Sequence, residues 1–298
     1  MSNTLGLLWI WNHEVSIRLS AFLVVFALVG WSQRLAPRRR QAVPRARRWL
    51  SNLSLAGLNS LLLQLLFGAG AVGTAYAAGE HRWGLLNNLA LPQPVIVAAS
   101  VILLDLTVYL QHVSFHAVPA LWRFHMVHHA DIDFDLTTGI RFHPVEMILS
   151  LLLKITVVAA LGPPAGAVLM FEVLLNATSM FNHGNLQLPR ALDQVFRWVV
   201  VTPDMHRVHH SVDLAEANSN FGFNLPWWDR LFGTYRAQPA AGHEAMRIGL
   251  RQFEGIREQT LFWMLLLPLR TATSGELQLL GRPVSDAEMR HGTERTRR

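Results

Sequence analysis

The amino-acid sequence predicts an all-α protein: a polytopic membrane helix bundle with a histidine-ligated di-metal site on its cytoplasmic face. Three observations predict this class. Of the 298 residues, 51% are hydrophobic and only 15% are charged, whereas soluble domains average about 25% charged residues. Long uncharged apolar runs recur along the chain. Clusters of histidines repeat at short spacings in a sequence without cysteine, which excludes thiolate metal sites and iron–sulfur clusters in this chain.

The apolar runs predict the membrane crossings. Uncharged runs cover residues 19–31 and 53–78, and a third begins at 95–104. With their flanks, these runs reach the roughly 20 residues that a spanning helix needs. A fourth run, 147–181, is broken by Gly162, Pro163 and Pro164 into halves of about 15–17 residues, which is short for full crossings. We therefore expect a hairpin that enters the membrane and returns, either as a re-entrant segment or as two crossings.

The arginines predict which side of the membrane each loop faces. Residues 33–49 separate the first two runs and carry seven arginines: Arg34, Arg38, Arg39, Arg40, Arg45, Arg47 and Arg48. The next loop, 79–94, carries Arg82 alone. Because positive charge marks the cytoplasmic side, we expect the N-terminus outside, with Trp9 and Trp11 at the outer interface. No cleavable signal peptide is expected, because the first apolar run starts late, Arg18 interrupts the approach to it and no small-residue cleavage site follows Trp31. All the clustered histidines then face the cytoplasm. Nucleic-acid binding by arginines beside a span is not expected.

Two opposite charges lie inside the predicted hairpin, Lys154 and Glu172. Counted from the turn, they fall at nearly equal depth on opposite arms. Because an isolated charge at that depth is costly, we expect the two side chains to pair. The alternative is that each side chain reaches a membrane surface separately.

The histidine clusters predict a site for two metal ions. They read His112-x-x-x-His116, His125-x-x-His128-His129 and His206-x-x-His209-His210. Residues three or four apart share one face of a helix, and neutral imidazole binds iron, zinc, copper and nickel. Eight imidazoles exceed what one ion uses, which favours two neighbouring ions. The isolated histidines are expected to be ordinary surface or core residues: His13, His81, His243 and His291.

The order of these clusters resembles the fatty acid hydroxylase and sterol desaturase superfamily of membrane di-iron enzymes. The flanking sequences are similar as well: GIRFHPVE at 139–146, TPDMHRVHHS at 202–211 and NSNFGFNLPWWDRLFGTY at 218–235. The resemblance extends from about residue 95 to residue 235. It does not cover the first two spans or the end of the chain.

The resemblance implies that two iron ions are ligated by the eight clustered histidines. It further implies one more histidine ligand, for which we favour His183 over His143. His143 is then a residue of the outer shell or one that faces substrate. Of the nearby carboxylates, Asp204 is the best candidate to orient a ligand imidazole; the others are Asp105, Asp131, Asp133, Asp213 and Asp229. No catalytic residue distinct from the metal ligands is predicted.

The same resemblance implies that O2 and external electrons are used to hydroxylate or desaturate a C–H bond of a lipid, such as a fatty acyl chain or a sterol. The sequence shows no dinucleotide-binding fingerprint, so a separate electron donor is expected: a ferredoxin, a cytochrome or a reductase. The arginine loop between Arg34 and Arg48 could dock that donor or anionic lipid, although a role in setting topology is favoured. The oligomeric state is not predicted.

Three regions are expected. Residues 1–93 hold two spans and the arginine loop, residues 94–237 the catalytic domain, and residues 238–298 an interfacial helix at 261–269 and a flexible tail from 282 to 298. Trp227, Trp228 and Phe232 read equally as an interfacial anchor or as ordinary packing.

Three other functions are compatible with clustered histidines in a membrane protein. A membrane zinc hydrolase is disfavoured because Val, Met and Arg follow the first histidine of each cluster, where the H-E-x-x-H motif has its carboxylate base. A metal transporter or sensor is disfavoured because transport sites lie near the midplane. A non-catalytic metal- or lipid-binding protein is the third.

Overall fold

The computed structural model describes residues 2–270, with side chains from His13 onward. The predictions for Trp9, Trp11 and the tail at 282–298 lie outside these described residues and side chains. Within them the chain is helical, with isolated β-bridges and no strand, so the all-α class is confirmed. The α-helices are α1 Ser2–Leu35, α2 Arg45–Phe67, α3 Gly70–Glu80, α4 Gln93–Ala117, α5 Pro119–His129, α6 Pro144–Leu161, α7 Ala165–Asn182, α8 Arg190–Phe196, α9 Pro203–His209, α10 Leu214–Ala217, α11 Trp227–Leu231, α12 Gly242–Ala245 and α13 Leu261–Leu266.

Five helical segments of the described chain are long and apolar enough to cross a membrane: His13–Leu35, Arg45–Glu80, Gln93–Ala117, Pro144–Leu161 and Ala165–Asn182. The second joins α2 and α3, which are separated at Gly68, where φ is +46°. Glycine tolerates this conformation, which other residues rarely adopt. The prediction of a polytopic helix bundle is therefore confirmed.

The α6–α7 hairpin is longer than the sequence suggested. Each arm has 18 residues, or about 27 Å at 1.5 Å per residue, close to the roughly 30 Å of a hydrocarbon core. The turn contains Gly162 at φ +65°, which caps α6 in the left-handed conformation. It packs against Trp83 and Asn87 of the α3–α4 connection, the end of α4 remote from its histidines. The hairpin thus reaches the far end of the bundle, which favours two crossings over a re-entrant segment.

The predicted pair inside the hairpin is confirmed. Lys154 Nζ lies 2.6 Å from Glu172 Oε1. Arg18 of α1 joins them, with its Nη2 at 2.5 Å from the other oxygen of Glu172 and at 2.7 Å from Glu14. The sequence analysis assigned no partner to Arg18; the structure shows that it ties α1 to α7.

Part of the arginine loop is built into the protein interior. Arg48, at the start of α2, is fully buried and makes a two-bond ion pair with Asp131, at 2.8 and 2.9 Å, and a third bond to Asp135 at 2.9 Å. Arg38 pairs with Asp204 at 3.2 Å. The Arg48 contacts fix α2 against the buried segment 130–143 that follows α5, and the Arg38 pair fixes the loop against α9. Setting topology is therefore not the sole role of the loop.

The segment at 261–269 differs from the expected interfacial helix. Only 261–266 is α-helical, and Met264 and Leu267 are fully buried against Leu55, Trp122 and Met126. Its exposed side includes Phe262 and Leu269. The reason for the difference is that one face of this short segment completes the core behind α5.

Candidate metal centre

The structure brings together the nine histidines that were predicted as ligands. They form two groups, and within each group the candidate ligand atoms lie within 4.8 Å of one another. The first group contains His112, His116, His125, His129 and His209. The second contains His128, His183, His206 and His210. All nine side chains are buried, and either group could hold a metal ion.

The spacing of the clusters explains how one motif serves two groups. In each cluster the first and last histidines, four residues apart, lie on one helix face and enter the same group. The middle histidine of each H-x-x-H-H motif enters the other group: His128 from α5 and His209 from α9. The groups are therefore adjacent, with the rings of His129 and His210 stacked at 4.5 Å.

The Nε2 atoms converge in both groups. In the first, His112 and His125 have Nε2 atoms 3.1 Å apart, as do His116 and His129. In the second, Nε2 of His183 lies 3.1 Å from that of His128, 3.1 Å from that of His206 and 3.2 Å from that of His210. Metal–imidazole bonds of about 2.0–2.1 Å place neighbouring ligand nitrogens about 3 Å apart, so these separations fit a shared ion.

Backbone carbonyls fix which ring nitrogen faces the centre. The Nδ1–H groups of His112, His183 and His209 donate to the carbonyls of Phe221, Ser179 and Ser219, at 2.7, 2.7 and 2.8 Å. A neutral imidazole that donates from Nδ1 keeps its lone pair on Nε2. The Nε2 of His209 has no hydrogen-bond partner among the described residues although it is buried. Unpaired lone pairs that face one another in a dry site fit metal ligation.

Burial keeps these imidazoles neutral. Outside the spans, desolvation lowers the pKa of His128, His129, His206 and His210 well below the usual value, and neighbouring imidazoles lower it further. The same burial lowers the pKa of His183 and of His209 to about 3. Neutral imidazole is the form that binds a metal.

One carboxylate contacts the ligand set, and the sequence analysis missed its role. Glu146 of α6 accepts a 2.6 Å hydrogen bond from His125 Nδ1, and its second oxygen, also buried, has no partner in the described chain. The carboxylate that contacts a ligand imidazole is therefore Glu146, and not Asp204 as the sequence analysis expected. The available signal was its place in GIRFHPVE, three residues after His143.

His143 and Asp204 lie outside both groups. His143 caps α6, accepting from Val145 N at 3.2 Å, and its Nε2 lies 3.3 Å from the carbonyl of Leu265. Asp204 pairs with Arg38 and Arg207 rather than with a ligand imidazole. The structure thus places Asp204 differently from its expected position beside a ligand.

The other carboxylates and aromatic residues have structural contacts. Asp133 accepts from the backbone of residues 42 and 43, and Asp213 caps α10. Asp229 accepts from Phe221 N at 2.8 Å. This bond fixes the irregular backbone at Phe221, whose carbonyl accepts from His112. Trp228 donates to Asp105 at 2.8 Å, so it packs inside the protein, whereas Trp227 and Phe232 are exposed.

A cavity of about 800 Å³ leads from the first histidine group into the helix bundle. His112, His125 and Glu146 line its end at the centre, and Phe115, Ile140 and Phe223 are among its apolar walls. It runs between α1, α2, α4, α6 and α7. A site of this size and composition fits an elongated apolar molecule.

Comparison with known proteins supports the resemblance seen in the sequence. A sequence model described as "Fatty acid hydroxylase" matches residues 97–234, which include all nine histidines. No solved structure matches the chain.

Several curated relatives match. An ornithine lipid hydroxylase of Rhizobium tropici is 31% identical over 149 residues, covering 50% of this chain and 44% of the relative. An alkylglycerol monooxygenase of Xenopus tropicalis is 25% identical over 270 residues, covering 88% of this chain and 56% of the relative. A cholesterol 25-hydroxylase of Rattus norvegicus is 30% identical over 148 residues, covering 48% and 47%. The chain spans about half the length of the relatives it matches.

Proposed function

We propose that this chain, which a fatty acid hydroxylase model matches over residues 97–234, is an oxidoreductase of the fatty acid hydroxylase and sterol desaturase superfamily: a membrane di-iron oxygenase that acts on a C–H bond of a lipid. The observation that carries the proposal is the pair of buried, adjacent histidine groups whose Nε2 atoms converge at the end of an apolar cavity. The relatives are named for ornithine lipid, alkylglycerol and cholesterol, which supports a lipid as substrate.

The nine histidines are the proposed ligands of the two ions. His112, His116, His125, His129 and His209 hold one, and His128, His183, His206 and His210 hold the other. When bound, two reduced iron ions would activate O2, and the two electrons that this requires would come from a separate donor. An all-nitrogen ligand set of buried neutral imidazoles suits both iron and zinc.

The residues around the cavity position the substrate. Of the nine histidines, only His112 and His125 line the cavity, so the reacting carbon approaches the five-histidine group. Phe115 and Phe223 shield that approach, which excludes water from the reaction. Glu146 holds the ring of His125 in place through its 2.6 Å hydrogen bond.

We also propose that the histidine end of the bundle faces the cytoplasm and receives electrons there from a separate protein. The arginine loop supports this orientation, since Arg38 N bonds to Asn185 O, two residues from His183. Excess arginine marks the cytoplasmic side. Arg34, Arg40 and Arg47 remain exposed on that loop and are available to an acidic electron donor.

One observation is compatible with a second function, that of a zinc hydrolase. The free oxygen of Glu146 is buried and borders the cavity beside His125. A carboxylate beside metal-bound imidazoles is the arrangement in which a zinc hydrolase activates water. The family and its relatives favour the oxygenase.

An isotope experiment separates the two functions. Membranes that contain the protein are incubated with lipid under heavy-isotope-labelled dioxygen, and separately in labelled water. The oxygenase incorporates the label from dioxygen into a lipid C–OH group, or forms a double bond, and the His128→Ala variant does neither. Label that enters only from water, at an ester or amide bond, would contradict the proposal.

A further inference from the structure

A cluster of charged side chains lies inside the cavity, away from the histidines. Arg18 of α1, Lys154 of α6 and Glu172 of α7 all line the cavity. Glu172 bonds both cations, at 2.5 and 2.6 Å, and Arg18 also bonds Glu14 at 2.7 Å. Charged groups within a membrane protein are costly and mark functional positions. An alkyl chain alone could form no hydrogen bonds with these groups.

The cluster retains hydrogen-bond donors that nothing in the described chain uses. Arg18 bonds through Nε and Nη2, which leaves Nη1 free. Lys154 spends one of its three N–H groups on Glu172. These two side chains are 34% and 21% exposed, respectively. Both oxygens of Glu172 already accept bonds, so the cluster offers donors to a ligand.

The charge of the cluster restricts the ligand. Two cations, Arg18 and Lys154, are balanced by two carboxylates, Glu14 and Glu172. A further anion would bring an uncompensated charge into the membrane interior, which is unfavourable. An uncharged oxygen acceptor can take the free donors without that cost, since hydrogen bonds from charged donors are strong.

The position of the cluster sets a distance from the metal centre. On α6, Glu146 bonds His125, and Lys154 follows eight residues later. At 1.5 Å per residue the two lie about 12 Å apart along the helix. An extended lipid can therefore contact both ends of the cavity at once.

We propose that this cluster binds the uncharged oxygen-bearing end, a hydroxyl or carbonyl, of an elongated lipid whose far end reaches the histidines. The inference rests on the proposed function and specifies the class and orientation of its substrate. A lipid with a charged headgroup does not fit this end of the cavity. The carbon that reacts lies remote from the polar end of the molecule.

Photo-crosslinking tests this orientation. The probe is hexadecanol with a diazirine next to the hydroxyl, added to the metal-loaded protein in lipid nanodiscs without dioxygen or reductant. We expect peptide mapping to find the label near Arg18, Lys154 and Glu172. Unlabelled hexadecanol should compete, whereas hexadecane and hexadecanoate should not. Label concentrated near His125 and Glu146, or equal competition by hexadecane, would overturn the proposal.

Matched variants test the residues. The paired change Lys154→Gln with Glu172→Gln keeps the net charge at zero and should weaken competition by hexadecanol about tenfold. Thr156→Val, on the exposed side of α6, should leave it unchanged. If the paired variant does not fold, Arg18→Met, which keeps the Lys154–Glu172 bond, serves instead. Unchanged competition in a variant that retains its iron would reject the polar-end site and leave the proposed oxygenase function standing.

Discussion

At the residue scale, the metal centre combines histidines that a local helical spacing brings together with orienting groups from distant parts of the chain. His112 and His116, or His206 and His210, share a face because four residues make about one helical turn, so their convergence is a local property. Glu146 meets His125 from another helix, 21 residues away. The carbonyls that hold His112 and His209 belong to irregular backbone at residues 219 and 221. No local periodicity encodes such contacts.

Glu146 provides the sharpest test at this scale. Glu146→Gln replaces a carboxylate acceptor by an amide, which weakens the hydrogen bond that orients His125. Loss of such an outer contact typically lowers metal affinity about 10–100-fold. We expect the variant to lose metal at chelator concentrations that the unaltered protein withstands. Glu80→Gln, an exposed change on α3, is the matched control, and equal retention by both variants would show that Glu146 does not support the centre.

At the element scale, the buried segment 130–143 links the helices that carry the histidines. Arg48 of α2 and Arg141 of the segment flank Asp131, at 2.8 and 3.9 Å. Positive-inside statistics explain why arginines occur near Arg48, but they cannot tell which arginine enters the core. That choice depends on carboxylates more than 80 residues further along the chain.

Removal of Arg48 should destabilise the fold strongly. Arg48→Met leaves Asp131 and Asp135 buried without their main cation, and loss of one partner from a buried ion pair costs about 3–5 kcal/mol. Arg47→Met alters the exposed neighbour on the same helix and should change stability little. Thermal unfolding of both variants in detergent measures the difference. Equal melting temperatures would contradict the structural role of Arg48.

The packing of segment 130–143 against α7 gives a second prediction at the element scale. A Cβ on Gly139 would lie 2.8 Å from the carbonyl carbon of Ser179 and 3.1 Å from His183 Nδ1. Gly139→Ala must therefore shift the end of α7, at a cost of about 1–3 kcal/mol, and move His183. We expect lower metal content in this variant. Gly79→Ala, where the added methyl group meets nothing within 4 Å, should keep its metal; the reverse pattern would refute the argument.

At the scale of the whole molecule, hydropathy predicts where the apolar helices lie along the chain but not how their polar residues combine. The Lys154–Glu172 pair followed from equal depth on two arms of one hairpin. The participation of Arg18 could not be predicted, because it depends on α1 packing beside α7. Likewise, α2 and α5 determine which face of the segment at 261–269 is buried. Long-range packing decides both.

The absence of cysteine from the sequence makes the predicted orientation testable. Arg40→Cys and Leu91→Cys each introduce one thiol at an exposed position, near the histidine end and near the opposite end of the bundle. If the histidines face the cytoplasm, a membrane-impermeant thiol reagent labels the thiol at position 91 in intact cells. It labels the thiol at position 40 only after permeabilisation. The opposite pattern would invert the topology.

The central claim is that two iron ions occupy the two histidine groups, and metal analysis of protein purified from membranes without chelator tests it most directly. We predict about two irons per chain, one in each group. His209→Ala and His128→Ala each remove a ligand of a different group, so each should lower the iron content, most strongly in its own group. Stoichiometric zinc that persists when iron is supplied during growth would contradict the account. An iron content that neither variant lowers would contradict it as well.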